Sequence, residues 1–138
     1  MKYRYTSFFP PDESLKWMKR PMVQIEVSGP AGSRKFDALI DSGADISLFN
    51  TQVAELLGFD LSKAKSRNFL GISGGIKAHA LEDIEIKIEG MDKSIKIPVS
   101  FVASSSVGLL LGQEGFFDQY QIKFEKDHDT FEIVSIHK

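Results

Sequence analysis

The chain has 138 residues, of which 42% are hydrophobic and 26% are charged, with a formal net charge of −2 at pH 7. This length fits one domain, and the apolar content is sufficient for a buried core, which excludes bulk disorder. The sequence contains no cysteine, so disulfides, thiolate metal sites and a cysteine nucleophile are excluded. The basic residues are scattered, and no apolar run approaches the ~20 residues of a membrane span. Neither a nucleic acid nor a membrane is therefore an expected partner.

The first twenty residues differ from the rest of the chain. Pro10 and Pro11 interrupt this segment, and it lacks the apolar run of a secretory signal, so we expect a cytoplasmic protein. We interpret residues 1–20 as an N-terminal arm and residues 21–138 as a single domain.

Apolar and polar residues alternate through most of the domain, which predicts β-strands with one buried and one exposed face. The alternation is clearest in residues 23–27, 84–88, 95–101 and 131–135. Turn-forming residues separate these strands at 28–32, 89–92 and 126–129. Short strands at this spacing indicate an all-β fold, either a sandwich or a barrel.

Two segments break the alternation and predict short helices. Residues 50–58 begin with the capping residue Asn50, carry apolar residues at helical spacing and end at Gly58. Residues 113–120 could form a second helix, although Gly115 disfavours it. The expected fold is therefore all-β with one or two short helices.

A carboxylate at the end of an apolar strand is the most informative feature of the sequence. Residues 38–45 read Ala-Leu-Ile-Asp-Ser-Gly-Ala-Asp, so the strand runs directly into Asp41, Ser42 and Gly43. Gly43 permits a sharp turn, and the Ser42 hydroxyl can both donate and accept hydrogen bonds. The same triplet occurs by chance in ordinary turns. Here apolar residues flank it on both sides, which favours a functional carboxylate over an exposed turn.

Four segments, in this order, resemble those of retropepsin-like aspartic proteases, the single-lobed retroviral-type family. They are residues 19–21 before an alternating strand, residues 38–45 as the active-site loop, residues 69–76 as a glycine-rich flap, and residues 108–112 as the segment that braces the loop. The resemblance covers residues 19–125. It implies a closed acid-protease barrel with one lobe per chain, and an aspartic endopeptidase with a polypeptide substrate and no cofactor beyond the attacking water.

The resemblance also implies a homodimer. Peptide hydrolysis by carboxylates needs one ionised and one protonated carboxyl close together. This chain carries a single Asp-Ser/Thr-Gly motif, so the second catalytic aspartate would be Asp41 of the partner subunit. The Ser42 hydroxyl would bond across the two-fold axis, and Gly43, Ala44 and Asp45 would contact the substrate.

Further roles follow from the same resemblance. The flap tip that closes over the substrate would consist of Gly71, Ile72, Ser73, Gly74 and Gly75. Leu110 and Ile72 would line apolar side-chain pockets. Asp45 would pair with Arg20 of the partner subunit as a dimer contact. Many members of the family carry an arginine where this chain has Gln113, which can still hydrogen-bond Asp45 but supplies no charge.

Other functions remain open at this point. A non-catalytic dimeric module that binds peptides could share the fold, although it would not need to keep a costly buried pair of carboxyls. An unrelated monomeric β-barrel that binds a small molecule would make the motifs coincidental. His79, His128 and His137 are far apart in the sequence and lack metal-ligand spacing, so no metal site is expected.

Overall fold

The computed structural model describes residues 1–8, 18–71, 74–104 and 108–136 of the chain. For residues 67–71 and 74–76 it describes the backbone alone. The strands in the described residues are β1 (Lys2–Arg4), β2 (Thr6–Phe8), β3 (Met18–Arg20), β4 (Met22–Gly29), β5 (Gly32–Ile40), β6 (Leu48–Asn50), β7 (Lys65–Gly71), β8 (Gly74–Ile88), β9 (Ile95–Val102), β10 (Leu109–Leu111), β11 (Tyr120–Glu125) and β12 (Thr130–Ser135). The helix α1 spans Thr51–Leu57.

Six of these strands form a closed barrel. Hydrogen-bonded neighbours follow the order β4-β5-β10-β6-β9-β8, and β8 pairs back with β4 to close the ring. β7 pairs with β8 outside the ring, and their last paired residues are Gly71 and Gly74. The fold is thus a mostly β barrel with short helices, as the sequence predicted, and the hairpin β7–β8 is a direct extension of one barrel strand.

The buried faces of the strands are those that the alternation predicted. In β4, Val23, Ile25 and Val27 are buried, while the residues between them are only partly so. The same holds in β8 and β12, where Ile86 and Ile133 are fully buried. Together with the buried aromatic rings of the other strands, these side chains form one continuous core inside and beneath the barrel.

The predicted helix after β6 is confirmed. The Asn50 side chain accepts a hydrogen bond of 2.9 Å from the Gln52 amide, which caps the first turn. Gly58 ends the helix with a φ of 76°, in the left-handed region that glycine tolerates. None of the helices in the described residues is long or apolar enough to cross a membrane.

The second predicted helical segment forms an irregular helical turn at Gln113–Phe117. Glu114 is extended and Gly115 has a φ of 87°. The helical geometry is therefore interrupted at Gly115, the residue that disfavoured a helix in the sequence. A side chain at Gly115 would also lie 2.6 Å from the Pro98 ring. The turn buries Phe116 in the core and leads into β11.

The N-terminal residues pair with the C-terminal hairpin of the same chain. β1 adds to β12, which pairs in turn with β11, in a three-stranded antiparallel sheet. The rings of Tyr3 and Tyr5 contact the buried ring of Phe131, with centroids 5.4 and 5.7 Å away. Lys19 in the hairpin β2–β3 forms a 2.8 Å ion pair with Asp129 at the tip of the C-terminal hairpin. The division of the chain at residue 20 into an arm and a domain stays a prediction.

The burial of the tyrosine side chains predicts how the protein titrates at alkaline pH. Burial raises the pKa of Tyr3, Tyr5 and Tyr120 above the ordinary value of 10.0, and the negative charge of Glu89 adds to the effect at Tyr3. A phenol whose pKa is raised on folding contributes stability below pH 10, which is lost as the pH rises through the folded-state pKa. We expect the tyrosinate absorbance of the folded protein to rise at a higher pH than that of the protein in urea. Coincident titration curves would contradict this.

Candidate active site

Asp41 follows the last residue of β5 and is held there by the neighbouring strand. β10 pairs in parallel with the end of β5, so that Leu111 lies opposite Ile40, and the Asp41 amide donates to the Leu111 carbonyl at 2.9 Å. On its other side β10 pairs antiparallel with β6. β10 therefore lies between the two strands that residues 41–47 connect. We call residues 41–47 the catalytic loop, after the role that the sequence predicts for Asp41.

The first turn of the catalytic loop folds back on the Asp41 side chain. The Gly43 amide donates to the Asp41 Oδ1 atom at 3.0 Å, and the Ala44 amide donates to the Asp41 carbonyl at 3.2 Å. A side chain at position 43 would bring its Cβ within 3.3 Å of Oδ1, so glycine leaves this approach open. Asp41 is partly buried, while Ser42 and Gly43 are exposed. The carboxylate is thus fixed by the backbone and remains accessible.

Residues 112–114, which we call the brace, run along the catalytic loop. The Gln113 amide donates to the Ala44 carbonyl at 2.8 Å, and the Glu114 amide donates to the Asp45 carbonyl at 2.9 Å. The Gln113 side-chain amide donates to the Ser42 carbonyl at 2.7 Å. The family resemblance suggested a hydrogen bond of Gln113 with Asp45. In the structure the Gln113 side chain instead bonds to the loop backbone beside Asp41.

Gly112 permits the close approach of the brace. A Cβ atom there would lie 2.8 Å from the Ala44 carbonyl oxygen and closer still to the carbonyl of Ile46. Both obstacles are backbone atoms, which cannot move aside as a flexible side chain could. The catalytic loop and the brace therefore fit together only with glycine at position 112.

Ser47 is a site residue that sequence reasoning missed. Its side chain is fully buried, and its hydroxyl oxygen accepts the Gly112 amide at 3.0 Å. Its carbonyl accepts the Ser100 amide at 3.0 Å, which ties the loop to β9. A serine between the apolar residues Ile46 and Leu48 was the available signal, because a hydroxyl among buried neighbours must find a partner.

Ser47→Ala is expected to lower the free energy of unfolding by about 1–3 kcal/mol, because the buried Gly112 amide loses its acceptor. Chemical denaturation of the variant and of the parent measures the difference. Ser33→Ala is the matched control, since the Ser33 hydroxyl pairs with Ser28 at an exposed position and its loss should cost within about 0.5 kcal/mol. Equal effects of the two substitutions would contradict the assigned role of Ser47.

The structure brings most of the predicted loop residues together. Asp41 to Ala44 form one turn, and Asp45 follows it directly. Leu110 lies between Leu39 and Leu48 in the sheet. Leu110 is partly buried, as a residue at the edge of a core would be.

The predicted flap corresponds to the hairpin β7–β8. Gly71 pairs with Gly74 and Leu70 pairs with Gly75, so these glycines lie at its end. Ile72 and Ser73, the two remaining predicted flap residues, lie outside the described residues.

Within the described part of a single chain, the Arg20 side chain forms no ion pair with the catalytic loop. Arg20 ends β3 with an exposed side chain, and among the described residues of one chain its guanidinium has no carboxylate within 4.0 Å. The backbone that follows does reach the site, because the Pro21 carbonyl accepts the Ile40 amide at 3.0 Å, one residue before Asp41. Pairing of Arg20 with Asp45 across a dimer stays a prediction.

Comparison with known proteins agrees with this architecture. The family model described as retroviral aspartyl protease matches residues 17–123. The crystal structure of a retropepsin-like aspartic protease from Rickettsia conorii superposes with a TM-score of 0.63 at 23% sequence identity, and the match covers 83% of this chain and 89% of that one. No curated protein matches the sequence significantly. Because the family model spans most of the chain, this protein belongs to the retroviral aspartyl protease family and is an aspartic-type peptidase.

Proposed function

We propose that the protein is a homodimeric endopeptidase whose active site forms from Asp41 of each of two copies. The observation that carries the proposal is the setting of Asp41, a partly exposed carboxylate at the end of a buried strand, with its Oδ1 atom bound to the Gly43 amide. One chain supplies one such carboxylate, and the chemistry needs two. A two-fold axis beside the exposed Ser42–Gly43 turn would bring the second carboxylate to the first.

In this site the two carboxyls share a single proton, because two negative charges about 3 Å apart cannot both persist. The ionised carboxyl takes a proton from a water molecule, whose oxygen then bonds to the scissile carbonyl carbon. The protonated carboxyl donates its proton to the carbonyl oxygen. The tetrahedral intermediate collapses when the carboxyl that took the water proton donates it to the leaving nitrogen and the other carboxylate takes a proton from a hydroxyl of the intermediate. The C–N bond then breaks, which releases a carboxylic acid and an amine and leaves one proton on the pair of carboxyls.

The surrounding residues would hold the substrate and the partner subunit. The Gly43 carbonyl, Ala44 and Asp45 would face the peptide backbone of the substrate, and the Ser42 hydroxyl would bond to its counterpart across the axis. Leu110 is partly buried next to the loop, which suits the wall of an apolar side-chain pocket. We therefore expect hydrophobic residues on one or both sides of the cleaved bond.

The flap and the dimer contact complete the proposal. The hairpin β7–β8 ends in glycines, whose backbone can approach a bound peptide closely while its closure excludes water. Asp45 would form a charge-assisted pair with Arg20 of the partner subunit. Both groups are exposed in the single chain and free of ion pairs with its described residues, as a contact across the dimer would require.

Incubation of the protein with a peptide library tests the proposed activity. We expect internal cleavage between hydrophobic residues, identified by mass spectrometry, and its loss when a peptide analogue with a non-hydrolysable hydroxyl isostere occupies the site. Peptides that are retained by the protein but never cleaved would indicate the non-catalytic binding module instead. Cleavage that the analogue does not block would point to a different active site.

A further inference from the structure

The Gln113 side chain contacts the peptide group that binds the catalytic carboxylate. Its amide nitrogen donates to the Ser42 carbonyl at 2.7 Å. The amide of Gly43, which belongs to the same peptide group, donates to the Asp41 Oδ1 atom at 3.0 Å. A single planar unit is therefore held at its oxygen by Gln113 and holds Asp41 through its nitrogen.

These two hydrogen bonds are coupled. A donor at the carbonyl oxygen polarises the peptide group, so that its N–H becomes a stronger donor to the carboxylate. The same donor fixes the plane of the peptide, which keeps the N–H directed at Oδ1. A hydrogen bond to a carboxylate favours the ionised form, and the water-activating step requires that form.

The identity of residue 113 matters through this bond alone. The other contacts between the brace and the catalytic loop use the backbone amides of Gln113 and Glu114, which almost any residue would supply. The Gln113 side chain is exposed and packs in no part of the core. Its replacement should therefore leave the fold intact while it changes the environment of Asp41.

We propose that Gln113 is a positioning residue, which orients and polarises the Ser42–Gly43 peptide group and thereby favours the ionised form of the active-site carboxylates. This inference rests on the proposed function and deepens it. It assigns to a neutral side chain, through the loop backbone, a role in the pH range over which the enzyme works. The Gln113 side chain bonds to the Ser42 carbonyl and not to the Asp41 carboxylate, so it acts through the peptide group.

Other charged groups near the site stay the same in the test. Asp45 lies on the catalytic loop and Glu114 on the brace, and Arg20 ends the strand that leads to Pro21 and so to Ile40. In the proposed dimer, Asp41 of the partner subunit would add a further charge. A variant of Gln113 that carries no charge leaves all of these groups in place, so a changed pH dependence reports on the lost amide.

Gln113→Met removes the amide and keeps an unbranched side chain of similar length. We expect the acid limb of its pH–rate profile for peptide cleavage to move to higher pH by about half a unit, with kcat lowered roughly 3-fold on that limb and KM nearly unchanged. Gln113→Arg restores an N–H donor and should return the acid limb to the wild-type position or below it.

Gln119→Met is the matched control. The Gln119 side-chain amide donates to the carbonyls of Lys96 and Gly115, each at 3.1 Å, and reaches no residue of the catalytic loop. Its loss should alter stability without moving the acid limb. A wild-type profile for Gln113→Met, or the same displacement in Gln119→Met, would overturn the positioning role and leave the endopeptidase intact. A wild-type protein that cleaves no peptide would overturn the proposed function itself.

Discussion

Asp41→Asn is expected to lower peptide hydrolysis by at least about 1000-fold, because the amide can neither take a proton from water nor share one with the second carboxyl of the proposed site. Asparagine has nearly the same shape, and its side-chain oxygen can still accept the Gly43 amide. The free energy of unfolding should therefore change little. Steady-state cleavage of a peptide found in the library, followed beside chemical denaturation, measures both quantities.

Mixtures of the variant with wild-type protein test the shared site. If each active site needs Asp41 from two chains, an equimolar mixture that has exchanged subunits keeps about a quarter of the activity of the same total amount of wild type, because only one dimer in four carries both carboxyls. Independent chains would instead keep about half. Ser33→Ala, an exposed substitution away from the loop, is the matched control and should leave a mixture fully active.

A linear fall of activity with the fraction of Asp41→Asn would contradict the homodimeric site, even if the variant alone were inactive. The test therefore separates the identity of the catalytic residue from the number of chains that supply it. The chain's membership of its family does not decide this second point, and no contact within a single chain bears on it.

Local patterns in the sequence predicted the barrel strands β4, β8 and β9 and the helix α1, because the causes of these elements are local. Alternation puts Ile25 and Val27 on the buried face of β4 whatever strand lies next to it, and Asn50 caps α1 through an amide two residues away. The interruption at Gly115 was also visible, since glycine disfavours a helix interior in any context.

The contacts that hold the candidate site could not be predicted in this way, because they join residues distant in sequence. The Gly112 amide meets the Ser47 hydroxyl across 65 positions, and Gln113 meets Ser42 across 71. The family resemblance indicated that residues 108–112 brace the loop, but it suggested Asp45 as the hydrogen-bond partner of Gln113. The parallel pairing of β10 with β5 determines which loop residues the brace meets, since it places Leu111 opposite Ile40 and so sets the register of the brace against the loop.

The described residues before position 21 show the same limit. The sequence of residues 1–20, interrupted by two prolines, indicated only an N-terminal arm. Tyr3 and Tyr5 are anchored by Phe131, a residue of the last strand, and the hairpin β2–β3 is anchored by the Lys19–Asp129 ion pair. The Lys19–Asp129 pair spans 110 positions of the sequence, so no local pattern could predict it.

Gly112→Ala is expected to give the largest loss of stability of any single methyl group added near the site, about 3 kcal/mol, or a fall of about 10 °C in Tm. The added Cβ would meet the carbonyls of Ala44 and Ile46, both of them backbone atoms of the catalytic loop. Relief of the overlap would push the brace away from the loop. The hydrogen bond from Gly112 to Ser47 and the one from Gln113 to Ser42 would then lengthen together.

Gly108→Ala is the matched control, because among the described residues a Cβ at that position would have no neighbour within 4 Å, and the backbone there is not in the left-handed region. Its stability should be unchanged or slightly raised, since alanine lowers the entropy of the unfolded chain. If Gly112→Ala were as stable as Gly108→Ala, the brace would not press on the loop as the structure indicates. We expect Gly112→Ala to lose both stability and activity, and Asp41→Asn to lose activity alone. This difference would distinguish a residue that shapes the site from the residue to which we assign the chemistry.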